Sequence, residues 1–344
     1  MKDLKYLAAY IAPVLLYLGL YFQGIFSFSA FLFAFILVPV LDSVLVQSKK
    51  NFSKEEAEAK LSNKLFDVLL YLNVPLVWGA IVYFLFGLVN DQFTTFELVG
   101  NMLSLGVVMG ASGINVGHEL GHRFNKVEQL MAQALLLPSL YMHFYIEHNI
   151  GHHKHVATPE DPSTARYNEA VYVFWFRSTY QSYINAWKLE ARKLRREGNA
   201  FWSPSNRMIH FTIVQAIYLS VVFVFASWQG LAAMLVLAIF SFLLLETINY
   251  IEHYGLVRAK KKNGDYERVQ PKHSWNSNHM LGRVVLYELT RHSDHHYIAS
   301  KKYQILDHQE DALLLPFGYP ASMVLCLFPP LWFRVMNRRL KEGN

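Results

Sequence analysis

Hydrophobic residues run through the first part of the chain almost without interruption. Between residues 6 and 48 there is no lysine or arginine, and Asp42 is the only acid. A helix rises about 1.5 Å per residue, so this stretch is roughly twice what a ~30 Å hydrocarbon core requires. It predicts a hairpin of two crossings that turns near Gln23 and Gly24. The same reading applies to residues 66–122, broken at Asn90, Asp91 and Gln92, and to residues 208–257, broken at Trp228, Gln229 and Gly230; neither stretch holds a basic residue. Three hairpins give six expected spans, at about 6–24, 26–47, 66–89, 96–116, 209–227 and 230–251.

Charge placement tests that count, because cytoplasmic loops carry the Lys and Arg excess. Lys2 and Lys5, the loop with Lys49, Lys50, Lys54, Lys60 and Lys64, the segment after His122 and the tail after Val257 all fall on one side under six spans. The three opposite turns contain no basic residue. The expected fold is therefore all-α: a single polytopic membrane domain over residues 1–344, with both termini cytoplasmic and a histidine-rich helical cap formed by 117–208 and 252–344. Residues 317–336 are apolar but interrupted by Pro320, Pro329 and Pro330, and read as an interfacial or packed segment. The block at 186–207, rich in Lys and Arg, reads as a helix on the membrane surface, near anionic lipid.

Composition agrees. Of 344 residues, 53% are apolar and only 17% charged, against about 25% charged in soluble domains. The net charge of +6 has its explanation in the one-sided loops, so no nucleic-acid partner is expected. A single cysteine, Cys326, excludes an internal disulfide and any iron–sulfur or rubredoxin-type centre, which needs four thiolates. Electrons, if the chain uses them, come from another molecule.

The anomaly is histidine, at 15 residues. Most fall in four motifs: H118-E-L-G-H122, E147-H-N-I-G-H152-H153, N249-Y-I-E-H253-Y-G and R291-H-S-D-H295-H296. Positions four apart share a helix face. His118 with His122, His148 with His152, and His292 with His296 are thus each expected to present two imidazoles to one point. His153, His295 and His253 bring the candidate metal ligands to nine. Under six spans all nine emerge on the cytoplasmic face. A catalytic zinc takes three protein ligands and a structural zinc four, so nine overfill one zinc and suit two metals with four or five each. Imidazole suits zinc, copper, iron and nickel alike. Metal-bound histidines usually pass their other N–H to an acceptor, and Glu119, Glu147, Asp161, Glu252 and Asp294 are the nearby candidates. His143, His210 and His308 read as packing or surface groups, and His155, His273 and His279 as supporting groups at most.

Two rivals follow from the residues. H118-E-L-G-H122 also fits an intramembrane zinc protease with Glu119 as general base and Asp42 as a third ligand, but this leaves the other seven histidines without a role. A metal transporter would need ligands strung along a path, whereas these are bunched on one side.

The motifs resemble those of the integral-membrane non-haem diiron alkane 1-monooxygenases, within the membrane fatty acid desaturase and hydroxylase superfamily. HELGHR resembles the first histidine box, EHNIGHHKHVATPEDPSTAR the second, NYIEHYGL the alkane-hydroxylase motif and LTRHSDHHY the third; KHSWNSN and LLLPFGYPASM are also similar. Arg123, Ile150 and Tyr297-Ile298-Ala299 depart from the usual pattern, with no ligand lost. The resemblance implies two iron ions held by the nine histidines and hydroxylation of the terminal methyl of a linear alkane or similar chain. It further implies O2 as co-substrate, electrons from rubredoxin and its reductase, and a place in the inner (cytoplasmic) membrane. A fatty acyl, sterol or aromatic-methyl hydroxylase, or a desaturase, is the alternative within the same superfamily.

Overall fold

The computed structural model describes residues 2–342. Among the described residues five helices are long and apolar enough to cross a bilayer: α1 (Asp3–Phe22), α2 (Gly24–Val44), then, after the surface helix α3 (Lys54–Ser62), α4 (Leu65–Val89) and α5 (Thr95–Gly121), and, further along the chain, Arg207–His253. Between the last two lie α6 (Lys126–Leu136) and the long α7 (Val171–Arg196), so Arg207–His253 is α8. With 47 residues, α8 is about 70 Å of helix, more than twice the hydrocarbon thickness. It is interrupted at Ser227, with φ 53° and ψ −163°. Gln23, between α1 and α2, has nearly the same conformation, φ 58° and ψ −154°. Next to Ser227, a Cβ on Gly230 would come within 2.2 Å of the Ala226 side chain, so only glycine permits the close approach there.

Contacts divide the chain into two units. The first takes the chain up to Ile36, Asp67–Glu147 and Tyr183–Leu245. Its helices are joined by polar side chains meeting backbone carbonyls, which removes the cost of leaving them bare in hydrocarbon. The Tyr10 hydroxyl donates to the Leu69 carbonyl at 2.6 Å, and Tyr17 to Leu76 at 2.9 Å. Glu97 closes a capping box with Thr94 and also accepts from the Gly24 amide at 2.8 Å. Ile36 on α2 and Val221, Val224 and Phe225 on α8 are exposed, as an apolar surface in lipid should be.

The second unit takes Leu37–Phe66, His148–Ser182 and the chain from Glu246 onward. It contains the short helices α9 (Met280–Val285), α10 (His292–Tyr297), α11 (Tyr319–Cys326) and α12 (Pro329–Glu342). Strands β1 (Trp275–Asn276) and β2 (Leu313–Leu314) pair in parallel, Trp275 opposite Leu313. Residues 317–336 thus form two helices meeting at Pro329, each too short to cross a membrane at about 1.5 Å per residue, with Tyr319, Cys326, Trp332 and Met336 buried. The surface helix expected at 186–207 is instead α7, which begins at Val171. Tyr172, Val173, Phe176 and Tyr180 form an exposed stripe on its first half, and Lys193, Arg195 and Arg196 close its last turn. The sequence reading registered the basic end and missed the aromatic one.

Asp42, the lone acid of the first hairpin, is buried and accepts from the amides of Leu281 at 2.9 Å and Gly282 at 3.1 Å, at the start of α9. A Cβ on either Gly282 or Gly318 would lie 2.9 Å from its Oδ2. That carboxylate is a structural acceptor for the start of α9. Replacing Asp42 with Ala strands two amides, and is expected to cost about 1–3 kcal/mol, read as a lower unfolding midpoint in detergent. An unchanged midpoint would remove the role.

Candidate metal centre

Among the described residues three stretches of π-helix interrupt the regular helices; one leads into the first histidine motif and another carries most of the second. Met109–Ile114 is a π turn, followed at once by the α-turn Asn115–Gly121 that holds His118. Glu147–His152 is another, followed by His153–His155. A π turn closes at i to i+5 in place of i+4 and is frequent at functional sites. In the second motif this changes which histidines meet. His148 and His153 bring their Nε2 atoms to 3.1 Å, whereas the expected pairing was His148 with His152. His152 turns to His296 instead, Nε2 to Nε2 at 3.1 Å.

Within the second unit two groups form. His152, His253, His292 and His296 each offer a nitrogen within 4.8 Å of all the others, and all four are buried. His253 Nε2 is 3.1 Å from His292 Nε2, which lies 2.9 Å from His296 Nε2. His292 and His296, one turn apart on α10, meet as their spacing predicts. The other group contains His148, His153 and His295, again within 4.8 Å of one another. In the first unit His118 and His122 stand edge to face, ring centroids 4.9 Å apart. His143 is buried there between Tyr141 and Tyr183. Burial pushes its pKa down to about 3, so it packs as a neutral aromatic.

The protonation pattern tests whether a metal fits. His152 Nδ1 lies 2.9 Å from the buried Asp161 carboxylate. Burial works to raise the Asp161 pKa, but His152, its hydrogen bond and that of Thr164 outweigh this and hold it below the usual range. Asp161 is therefore an anion, and the His152 Nδ1–H donates to it. His253 Nδ1 donates to the His273 carbonyl at 3.3 Å. With their protons on Nδ1, both rings turn Nε2 lone pairs into the cluster. Burial also lowers the pKa of His295, to about 3, and that of His296, so these rings are neutral at pH 7. Convergent neutral imidazoles are a donor set that suits a metal cation. Nitrogens that share one ion on bonds of about 2.1 Å stand about 3–3.4 Å apart, and the 2.9–3.1 Å spacings here are close to that range.

The five candidate carboxylates divide. Asp161 and Glu252 reach ligand rings, Glu252 Oε2 lying 3.1 Å from His292 Nε2. Glu119 receives Arg123 at 2.8 Å, and Glu147 receives Asn185 at 3.1 Å. Asp294 anchors α10 to the loop beyond it through Lys301 at 2.7 Å, Gln309 at 2.5 Å and the Asp307 amide at 2.8 Å. His273, read from the sequence as a supporting group at most, orients His253 through its backbone carbonyl, which residue type cannot reveal. One further contributor was not singled out by sequence. Tyr319 hydrogen-bonds Glu252, and burial followed by that neighbour holds its hydroxyl far above the usual range, so it stays a donor. It lies in the LLLPFGYPASM stretch, whose likeness to the family was its one signal.

Residues 94–319, from the start of α5 to the start of α11, match the fatty acid desaturase family. An alkane 1-monooxygenase 2 of Alcanivorax borkumensis is 38% identical over 99% of this chain and 91% of its own length. The chain belongs to the fatty acid desaturase family, in its alkane 1-monooxygenase branch. An alkane 1-monooxygenase 1 of Pseudomonas aeruginosa is 40% identical over 92% of this chain and 83% of its own length. The xylene/toluene monooxygenase hydroxylase component of Pseudomonas putida is 30% identical over 98% of this chain and 89% of its own length. Membership and histidine geometry agree on a membrane monooxygenase with a non-haem metal centre.

Proposed function

We propose that this chain hydroxylates the terminal methyl group of linear alkanes, or similar alkyl chains, to primary alcohols at a diiron centre. His152, His253, His292 and His296 hold one ion. His148, His153 and His295 belong to the other, and the nine-histidine set that the family resemblance implies also includes His118 and His122. The observation that carries the reading is the buried four-histidine cluster, with two rings fixed by Asp161 and the His273 carbonyl so that their Nε2 lone pairs converge.

The reaction balances as RH + O2 + 2e⁻ + 2H⁺ giving ROH + H2O. A terminal C–H has neither an acidic proton nor an electrophilic carbon, so acid, base or nucleophilic side chains have nothing to act on. Iron, when bound, supplies the O2 and one-electron chemistry that they lack. The chain's own residues position and exclude. Asp161 fixes the His152 tautomer, the His273 carbonyl fixes that of His253, and the buried rings keep water from the site. Iron is favoured over zinc because this chemistry requires a redox metal.

Electrons come from outside, since Cys326 is the only cysteine; rubredoxin, recharged by its reductase, is the proposed donor. Six crossings with both termini cytoplasmic, in the inner membrane, follow if α8 is two spans. The non-helical backbone at Ser227, nearly the same as that at Gln23, supports this. All basic residues then face the donor's side. An acidic donor is drawn by long-range attraction that salt screens, so turnover under donor-limited conditions is expected to fall as ionic strength rises. A salt-independent rate would overturn that docking picture.

The deciding experiment is anaerobic purification with metal analysis, then supply of electrons, O2 and a series of n-alkanes with product analysis by mass. Two irons per chain and a primary alcohol are expected. The relative acting as a xylene/toluene monooxygenase component favours a second reading, an aromatic methyl substrate. Xylene in the same series separates the two: benzylic alcohol without alkane product would replace the alkane reading.

A further inference from the structure

Asp161 holds His152, but Asp161 stands on an irregular loop that does not hold itself. Ala157, at the loop's start, has φ 58°, and so does Asn168 near its end. Each is a left-handed conformation that costs a non-glycine residue of order 1 kcal/mol and persists where the surroundings impose it. Inside the loop, Thr164 Oγ1 donates to Asp161 Oδ2 at 2.5 Å and accepts from the Ala157 amide at 2.8 Å. The Ser163 amide donates to Asp161 Oδ1 at 3.1 Å. These bonds shape the loop without fixing it to the rest of the unit.

Arg177, on α7, makes that connection. Its Nε and Nη2 pair with the two oxygens of Glu169 at 2.7 and 2.8 Å. Its Nη1 donates to the Pro162 carbonyl at 2.9 Å, and Nη2 also donates to that of Thr164 at 3.0 Å. Pro162 follows Asp161 directly, so the guanidinium grips the chain on the far side of the carboxylate that grips His152. The helix beneath is anchored to the end of α8: Ser178 donates to Glu246 at 2.5 Å, Trp175 Nε1 to Thr247 at 3.1 Å, and Phe174 packs edge-on against Tyr250. Side-chain entropy is the usual cost of such a fork; here the planar guanidinium spends its hydrogen bonds on one loop in one geometry.

We propose that Arg177 is a positioning residue for the metal centre, acting through the 157–169 loop and Asp161 to hold His152 in its ligand orientation. This rests on the reading that His152 binds a metal. The chain of contact is Arg177, the Pro162 and Thr164 carbonyls, Asp161, then His152 Nδ1. Removing an outer partner of a metal-bound histidine typically weakens metal affinity 10- to 100-fold. Arg177 acts one step further out, and other bonds also hold the loop, such as Tyr250 to the Glu169 carbonyl at 2.6 Å and the Gly255 amide to Ala165 at 2.9 Å. The expected loss is therefore nearer tenfold.

The test uses the full-length protein in detergent, titrated with Fe(II) anaerobically, comparing wild type, R177A, R177K, D161N and the double variant R177A/D161N. R177K keeps the charge but gives up the fork, so it covers the case in which R177A does not fold. Both Arg177 variants are expected to weaken binding of one Fe(II) of the two, R177A about tenfold, to change the Mössbauer signal of that iron and to speed hydrogen exchange across 157–169. The double variant should bind as weakly as D161N alone, because both changes release the same ring. Losses that multiply, or R177A and R177K binding iron as wild type does, would overturn the proposal. Wild type that binds no iron would instead overturn the metal reading on which it rests.

Discussion

Changing His253 to Ala is expected to empty the four-histidine site of metal and to reduce alcohol formation below detection. The ring is fully buried, fixed by the His273 carbonyl, and its Nε2 faces that of His292 at 3.1 Å. Losing an outer partner of a metal-bound histidine already weakens metal affinity about 10- to 100-fold, so losing the ligand itself is expected to cost more than about a hundredfold, about 3 kcal/mol. Metal analysis of the purified variant should fall from two ions toward one. His143→Phe is the control, because His143 is as buried but packs only between Tyr141 and Tyr183. That variant should keep its metal. Retention of both ions and of product by the His253 variant would break the proposed ligand set.

The spacing of that set was legible where the helix is regular. His292 and His296 sit four apart on α10 and meet, as any α-turn requires. His148 and His152 also sit four apart and their ring centroids lie 5.1 Å apart, but across the π turn the Nε2 that meets that of His148 at 3.1 Å belongs to His153. Nothing in the hydrophobic pattern distinguishes a π turn from an α turn over six residues, so that shift was not legible. The spans show a similar division. Absence of basic residues located the apolar stretches, while the helix ends, such as Gly121 and His253, extend past the apolar run because the helix continues into the site. Carboxylates were the least legible: four stood beside candidate ligands in sequence, yet it is Asp161, eight residues past His153, that reaches His152 Nδ1, across a loop whose shape depends on Thr164 and Arg177. Sequence proximity says which acids are available, and only the fold says which nitrogen each one meets.

Arg123→Met is expected to destabilise the protein more than any other single change outside the histidines, by roughly 3–5 kcal/mol, the range for breaking a buried ion pair from one side. Arg123 is buried and gives Nε and Nη2 to Glu119 at 3.2 and 2.8 Å and Nη1 to Asp67 at 3.2 Å. Burial opposes its charge, but Glu119, Asp67 and Glu128 together outweigh this and raise its pKa. With methionine there, the Glu119 carboxylate loses its cation inside the first unit, one residue from His118. Lysine keeps the charge and loses the fork, so Arg123→Lys should cost less than Arg123→Met. Adding Glu119→Gln to Arg123→Met should recover part of the loss, since the stranded charge is then gone, and the coupling in this cycle is expected at about 0.5–3 kcal/mol. The unfolding midpoint in detergent measures each step. The same cycle bears on the protease alternative, in which Glu119 must be free to take a proton from water. A glutamate bound to a guanidinium is a poor base, so Glu119→Gln should register as a change in stability. Additive effects of the two substitutions would show that the pair contributes nothing, and would leave Glu119 without its structural role.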